Sequence, residues 1–144
     1  MTKPNEFPVK VHVVTTHELE EQIEDYEENF EGGIVKIGNN FYLRYQENIE
    51  NEEAAVTLKI DDQGSIQLTR KTKEQRLHLK FVSNERTMAQ YKVAYGNIPL
   101  VVFTSQLDFQ IDDEPLIGVI NIDYQLFNGE VSLGKYKMRL QFMA

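Results

Sequence analysis

The chain has 144 residues, 41% of them hydrophobic and 26% charged, which fits one ordinary globular domain rather than a disordered segment. A net charge of −8 and a pI near 4.9 argue against a general nucleic-acid binder, which needs a concentrated positive surface. There is no cysteine, so disulfides, thiolate catalysis and Cys-ligated zinc are excluded.

Along the chain, MTKPNEFPVK lacks the apolar run of a secretion signal. No stretch approaches the roughly 18 apolar residues of a membrane helix. A cytoplasmic protein with no membrane partner is expected. Residues 8–16, PVKVHVVTT, place Val9, Val11 and Val13 on one face of a strand. The next segment resists that pattern. HELEEQIEDYEENFEG spaces Leu19, Ile23, Tyr26 and Phe30 as a helix would, and carries eight acidic residues between Glu18 and Glu31. Periodicity alone leaves an amphipathic helix and an irregular strand both open. Such a charge run is ordinarily a solvated face rather than a metal or partner site.

Beyond it, period-two alternation returns, punctuated by turn residues. GGIVKIGNNFYLRY reads as two strands around Gly38-Asn39-Asn40, with Phe41, Leu43 and Tyr45 on one face. AVTLKIDDQGSIQLTR is a hairpin turning at Asp61–Gly64, YKVAYGNIPLVVFT turns at Gly96-Asn97, and LDFQIDDEPLIGVINIDYQLF turns around Asp112–Pro115. Asn128-Gly129 is the strongest short hairpin signal, since both residues tolerate positive φ. Strands joined by tight turns, with no parallel crossover, form an all-β antiparallel meander. A meander of this length closes into a barrel of roughly eight to ten strands, which removes exposed edges. No repeat or linker divides it, so residues 1–144 are one β-barrel domain.

Several phrases in order along the chain resemble the YwiB-like family of uncharacterised bacterial proteins: FYLRYQE (41–47), LTR (68–70), LHLKF (77–81), YKVAYGNIPLVVFT (91–104), IDYQLF (122–127) and YKMRLQF (136–142). The resemblance covers about 100 residues. It implies a calycin-type, lipocalin-like barrel and no activity. The chain departs from the family pattern at Thr72, where glycine is usual, and the barrel implied by the resemblance requires a strand from about residue 22.

Motifs for chemistry are weak. GEVSLGKY (129–136) resembles a phosphate loop, but Tyr136 stands where Ser or Thr would bind magnesium, and a hairpin replaces the strand-to-helix turn. His12, His17 and His78 are scattered, and the phase of His12 and His78 points outward, so no metal site is assigned. IDDQG and IDDEP are turns, not calcium loops. Asp123 is out of phase with its apolar neighbours and faces water. No nucleophile is paired with a base, so no catalytic residue is assigned, no cofactor is expected, and the reading leans away from an enzyme.

More informative are polar residues in the apolar phase. Arg70 follows Ile66 and Leu68, Tyr91 and Tyr95 flank Val93, Thr104 follows Val102, Tyr124 follows Ile122, and Tyr136 precedes Met138. These six are the candidate ligand-binding residues. Apolar walls carrying tyrosines, a threonine and one arginine suit a small, partly apolar ligand, and Arg70 could hold an anionic end. The competing structural reading pairs Arg70 with an internal acid that closes one barrel end. An interaction or regulatory module, using an outer face or the acidic segment 18–31, is the alternative function, and a homodimer is compatible with it. The remaining basic residues of RKTKEQRLHLK (70–80) belong to a turn or to a water-facing side, which leaves no nucleic-acid partner.

Overall fold

Two-residue alternation decides the architecture, because each strand can bury one face only if the sheet curls that face inward. The computed structural model describes residues 6–49 and 51–144, and among these every regular element is a strand. In chain order they are β1 (Phe7–Leu19), β2 (Gln22–Ile37), β3 (Asn40–Ile49), β4 (Glu52–Ile60), β5 (Ile66–Lys71), β6 (Arg76–Phe81), β7 (Arg86–Val93), β8 (Gly96–Asp113), β9 (Leu116–Asn128) and β10 (Val131–Met143). Each pairs antiparallel with its sequence neighbours, and β1 pairs with β10, so the ten strands form a closed barrel. Among the described residues no helix is long and apolar enough to cross a membrane.

The segment with helical spacing is a strand. β2 starts at Gln22 and pairs with β1 along the whole of Phe7–Leu19. Strand pairing over that length satisfies backbone groups that an isolated helix would leave to its own ends, so tertiary context overrides the local period. In β2 the inward positions are Tyr26, Glu28, Phe30, Gly32 and Ile34, because their partners Thr15, Val13, Val11, Val9 and Phe7 alternate with the water-facing positions of β1. The wall is therefore not uniformly apolar, and this mixture made the pattern ambiguous.

Turns divide between two ends. The β2–β3, β4–β5, β6–β7 and β8–β9 connections lie at one end, with the start of β1 and the end of β10. That end is plugged by apolar side chains, among them the fully buried Phe81 and Phe142. Gly118 makes the plug possible, since a Cβ there would fall 1.9 Å from the Phe142 ring. The β4–β5 turn is held by Asp61, whose Oδ1 accepts the backbone N–H groups of Gln63 and Ser65, each at 2.9 Å. At the opposite end lie the β1–β2, β3–β4, β5–β6, β7–β8 and β9–β10 turns. This end is the mouth.

Candidate functional site

Inward-facing residues become polar toward the mouth. One cross-strand row runs Tyr45, Val56, Arg70, Leu77, Tyr91, Ile98 over β3 to β8, each residue directly opposite the next. Above it, Glu47 of β3 stands opposite Ala54 of β4. Arg70 donates from Nε to Oε1 of Glu47 at 2.8 Å, crossing β4 over the short side chains of Ala54 and Val56. Glu47 is 12% exposed and Arg70 34%, so the pair is partly shielded from water. The β5–β6 turn carries the next polar group. Thr72 and Gln75 exchange backbone and hydroxyl hydrogen bonds at 2.9 and 3.0 Å, and Gln75 Oε1 then accepts the Tyr91 hydroxyl at 3.1 Å.

Of these groups Arg70, Gln75 and Tyr91 open onto a cavity of about 400 Å³. Its apolar wall is Leu77, Ile98, Leu100, Leu126 and Leu133, and its polar lining is Arg70, Gln75, Tyr91, Asn128 and Tyr136. Three of the six residues chosen from sequence, Arg70, Tyr91 and Tyr136, are thus brought together. Tyr124 stands directly opposite Tyr136, stacked on it at 5.0 Å and tilted against Phe81 at 4.8 Å, and it is buried rather than lining the cavity. Thr104 is fully buried in the core beside a register shift of β8, and its hydroxyl has no hydrogen-bond partner among the described residues. It does not line this cavity. Tyr95 does not either: it is 87% exposed. The turn falls at Ala94-Tyr95, not at Gly96-Asn97, because Gly96 at φ 140° already opens β8 opposite Val93. Tyr95 therefore leaves the strand phase that seemed to carry it inward.

Four further mouth residues escaped the sequence reading. Glu47 continues the alternation Phe41, Leu43, Tyr45, so its inward phase was visible in FYLRYQE. Tyr26 was set on a helical face, and its position depends on β2 being a strand. His17 stacks on Tyr136 at 4.3 Å and donates from Nε2 to the Leu133 carbonyl at 2.9 Å. A β-bulge admits it, since a Cβ on Gly134, at φ 124°, would meet His17 Nε2 at 2.3 Å. Gln75 carried no signal, as only the fold of the β5–β6 turn turns it toward Tyr91. On the outer face, His12 donates to Glu27 at 2.7 Å, His78 meets the Thr69 hydroxyl at 3.0 Å, and Arg139 donates to Asp123 at 2.8 Å.

Burial dominates the acid–base character of the tyrosines. It raises the phenols of Tyr124 and Tyr136 above their ordinary range, with each other's proximity adding to the rise at Tyr124. Tyr45 is raised by burial and then by the Glu47 carboxylate. Tyr26 is raised by burial, then by Glu47 and by Glu28, with Arg70 opposing less strongly. Its hydroxyl oxygen is buried and has no hydrogen-bond partner among the described residues. All four phenols stay protonated at neutral pH, as donors or acceptors rather than bases. Among the described residues no three His, Asp or Glu side chains gather as a metal site would require. The mouth offers a cavity, an oriented ion pair and neutral phenols, an arrangement that suits binding.

Comparison with known proteins agrees with this architecture. The uncharacterised β-barrel protein YwiB of Bacillus subtilis (strain 168) is 24% identical over 137 residues, covering 95% of this chain and 94% of the relative. The crystal structure of the ywiB protein from Bacillus subtilis superposes with a TM-score of 0.84, over 97% of this chain and 93% of that one. At 24% identity this likeness establishes the fold. A family model described as a domain of unknown function (DUF1934) matches residues 11–140, most of the chain including every strand that lines the mouth, and the protein belongs to that family.

Proposed function

We propose that the barrel is a small-molecule-binding protein, holding a partly apolar ligand in its mouth with the ligand's polar end against the Arg70–Glu47 pair. The observation that carries this reading is the cavity of about 400 Å³ reaching Arg70, with a leucine and isoleucine wall and convergent polar groups on one side. That volume lies within the range of about 300–1,000 Å³ usual for ligand pockets. Pairing with Glu47 does not exhaust Arg70, because Nε is engaged and the guanidinium carries four further N–H donors. Glu47 fixes the plane of the fork, so Arg70 is oriented before a ligand arrives.

Native mass spectrometry of freshly purified protein tests the reading. A bound small mass that is lost in Leu77→Trp, which fills the cavity, is the expected result. A ligand-free monomer with no added mass, or an added mass that Leu77→Trp retains, overturns it. An interaction module is the second reading, and one observation favours it: Ile23 is 63% exposed beside the outward acids Asp25 and Glu27. A dimer that Ile23→Ser dissociates would move the weight there.

A further inference from the structure

Closure removes most strand edges from this barrel, but β8 keeps part of one. Its pairing with β7 ends where Arg86 stands opposite Phe103, while its pairing with β9 continues to Asp113. The β6–β7 turn reaches Thr104, whose carbonyl accepts the Asn84 N–H and whose N–H donates to the Glu85 carbonyl. Beyond that point no strand among the described residues pairs with the second edge of Ser105–Asp113. Backbone N–H and C=O groups along such an edge are a template for a further strand.

The side chains beside the edge are only partly covered. Leu107, Phe109 and Ile111 take the inner face, opposite Ile122, Ile120 and Gly118. Ile120 and Ile122 are fully buried, whereas the three β8 residues are half-buried. Phe109 even lines a surface groove of about 460 Å³ together with the outward Asp108, Gln110 and Val119. The outer row of the same segment is Gln106, Asp108, Gln110 and Asp112, all exposed. Acids at an edge ordinarily discourage pairing. Here they alternate with glutamines, and amides are already their partners: Gln106 donates to Asp108 at 3.2 Å, Gln110 to Asp112 at 3.4 Å and Asn121 to Asp108 at 2.8 Å.

That spacing makes the edge complementary to itself. Antiparallel pairing about a two-fold axis at Phe109 sets Leu107 opposite Ile111 and Phe109 opposite its own copy, which keeps the apolar rows together. Gln106 then meets Asp112, Asp108 meets Gln110 and Ser105 meets Asp113, so no acid faces an acid. An axis moved to Asp108 sets that acid against its copy, and one moved to Gln110 sets Asp108 against Asp112. We propose that the barrel forms a two-fold dimer through β8 in the Phe109-centred register, with the plugged ends together and the mouths apart. The pairing uses the same edge on both copies, so the assembly closes at two. This surface lies at the plugged end and stands independently of the ligand reading.

Sedimentation velocity over protein concentrations from about 1 μM to 1 mM tests the proposal, since a single strand pair is a small interface of affinity on the order of micromolar. A monomer–dimer equilibrium is expected. Gln110→Asp places an acid opposite Asp108 twice by symmetry and should weaken association at least about ten-fold. Adding Asp108→Gln to that variant exchanges acid and amide, restores complementarity, and should return the dimer. Ile23→Ser, on β2, should leave association unchanged. Hydrogen exchange reads the parent protein directly: alternate backbone N–H groups within 105–113 should gain protection as the protein is concentrated. A monomer throughout the range, a dimer indifferent to Gln110→Asp or not regained by the double exchange, or no added protection within 105–113 overturns the proposal.

Discussion

The Arg70–Glu47 pair joins β3 to β5 across an intervening strand, and its energetic weight follows from its surroundings. Two unit charges about 4 Å apart attract by about 4 kcal/mol at an effective dielectric near 20. Against that stands the desolvation of Glu47, which is only 12% exposed, while Arg70 at 34% keeps part of its hydration. A fully exposed pair contributes about 0–1 kcal/mol, whereas breaking a fully buried one costs about 3–5 kcal/mol. This pair lies between those limits, with a coupling of about 1.5 kcal/mol for one charge-assisted hydrogen bond. Arg70→Met keeps the aliphatic stem beside Val56 and Leu77, and Glu47→Gln keeps the shape of the acid. In urea unfolding, each single change should cost about 1.5–2 kcal/mol and the double change about 2 kcal/mol, far from the sum. Most of that coupling should survive molar salt, because a partly buried pair is weakly screened. Additivity within about 0.3 kcal/mol would refute the reasoning and reduce the pair to a surface contact.

Two further changes test the closed end. Gly118→Ala pushes a methyl into the Phe142 ring in the apolar plug and should destabilise by about 2–3 kcal/mol, read as a lower thermal midpoint. A loss under about 0.5 kcal/mol would mean the ring moves aside freely. Asp61 sits below its ordinary value of 3.8: burial alone would raise it, and hydrogen bonds from Ser65 and Gln63 outweigh that. A carboxylate depressed on folding stabilises above its unfolded value and loses that effect as pH falls through the folded one. The stability gap between the parent and Asp61→Ala should therefore be full at neutral pH and close in acid below 3.8. A gap that is constant down to strongly acid pH would assign the turn's stability to something other than the carboxylate.

Alternation made most of the barrel legible, because a period of two survives any choice of turn. Val9, Val11 and Val13, or Ile66, Leu68 and Arg70, could be assigned a face from sequence without knowing what they pack against. The same logic located Arg70, Tyr91 and Tyr136 at the cavity. It failed where backbone geometry rather than side-chain chemistry sets the phase. At Tyr95 the turn begins before the glycine that seemed to mark it, so Tyr95 lies in the turn itself, where alternation no longer directs a side chain to the wall. In β2 the inner face holds Tyr26, Glu28 and Phe30, a mixture that follows from the polar mouth and cannot be told from a solvated face without the partner strand. Glu47 differs from these cases. Its phase was readable and the structural reading of Arg70 called for an internal acid, but alternation within single strands does not show that β3 and β5, with β4 between them, bring Glu47 within reach of Arg70.

The pairing of β1 with β10 has a consequence for how the ring assembles. Nine of the ten strand contacts join neighbours along the chain and can form as successive local hairpins. The tenth brings together the first strand and the last, so it gains nothing from a short loop and must wait for the sheet to have curled. This seam is the topological lock of the barrel. Weakening it at the Val13–Leu140 step should open a cylinder whose hairpins remain formed, and the exposed edges of β1 and β10 would then be available to pair with another molecule, a route to strand-exchanged assemblies.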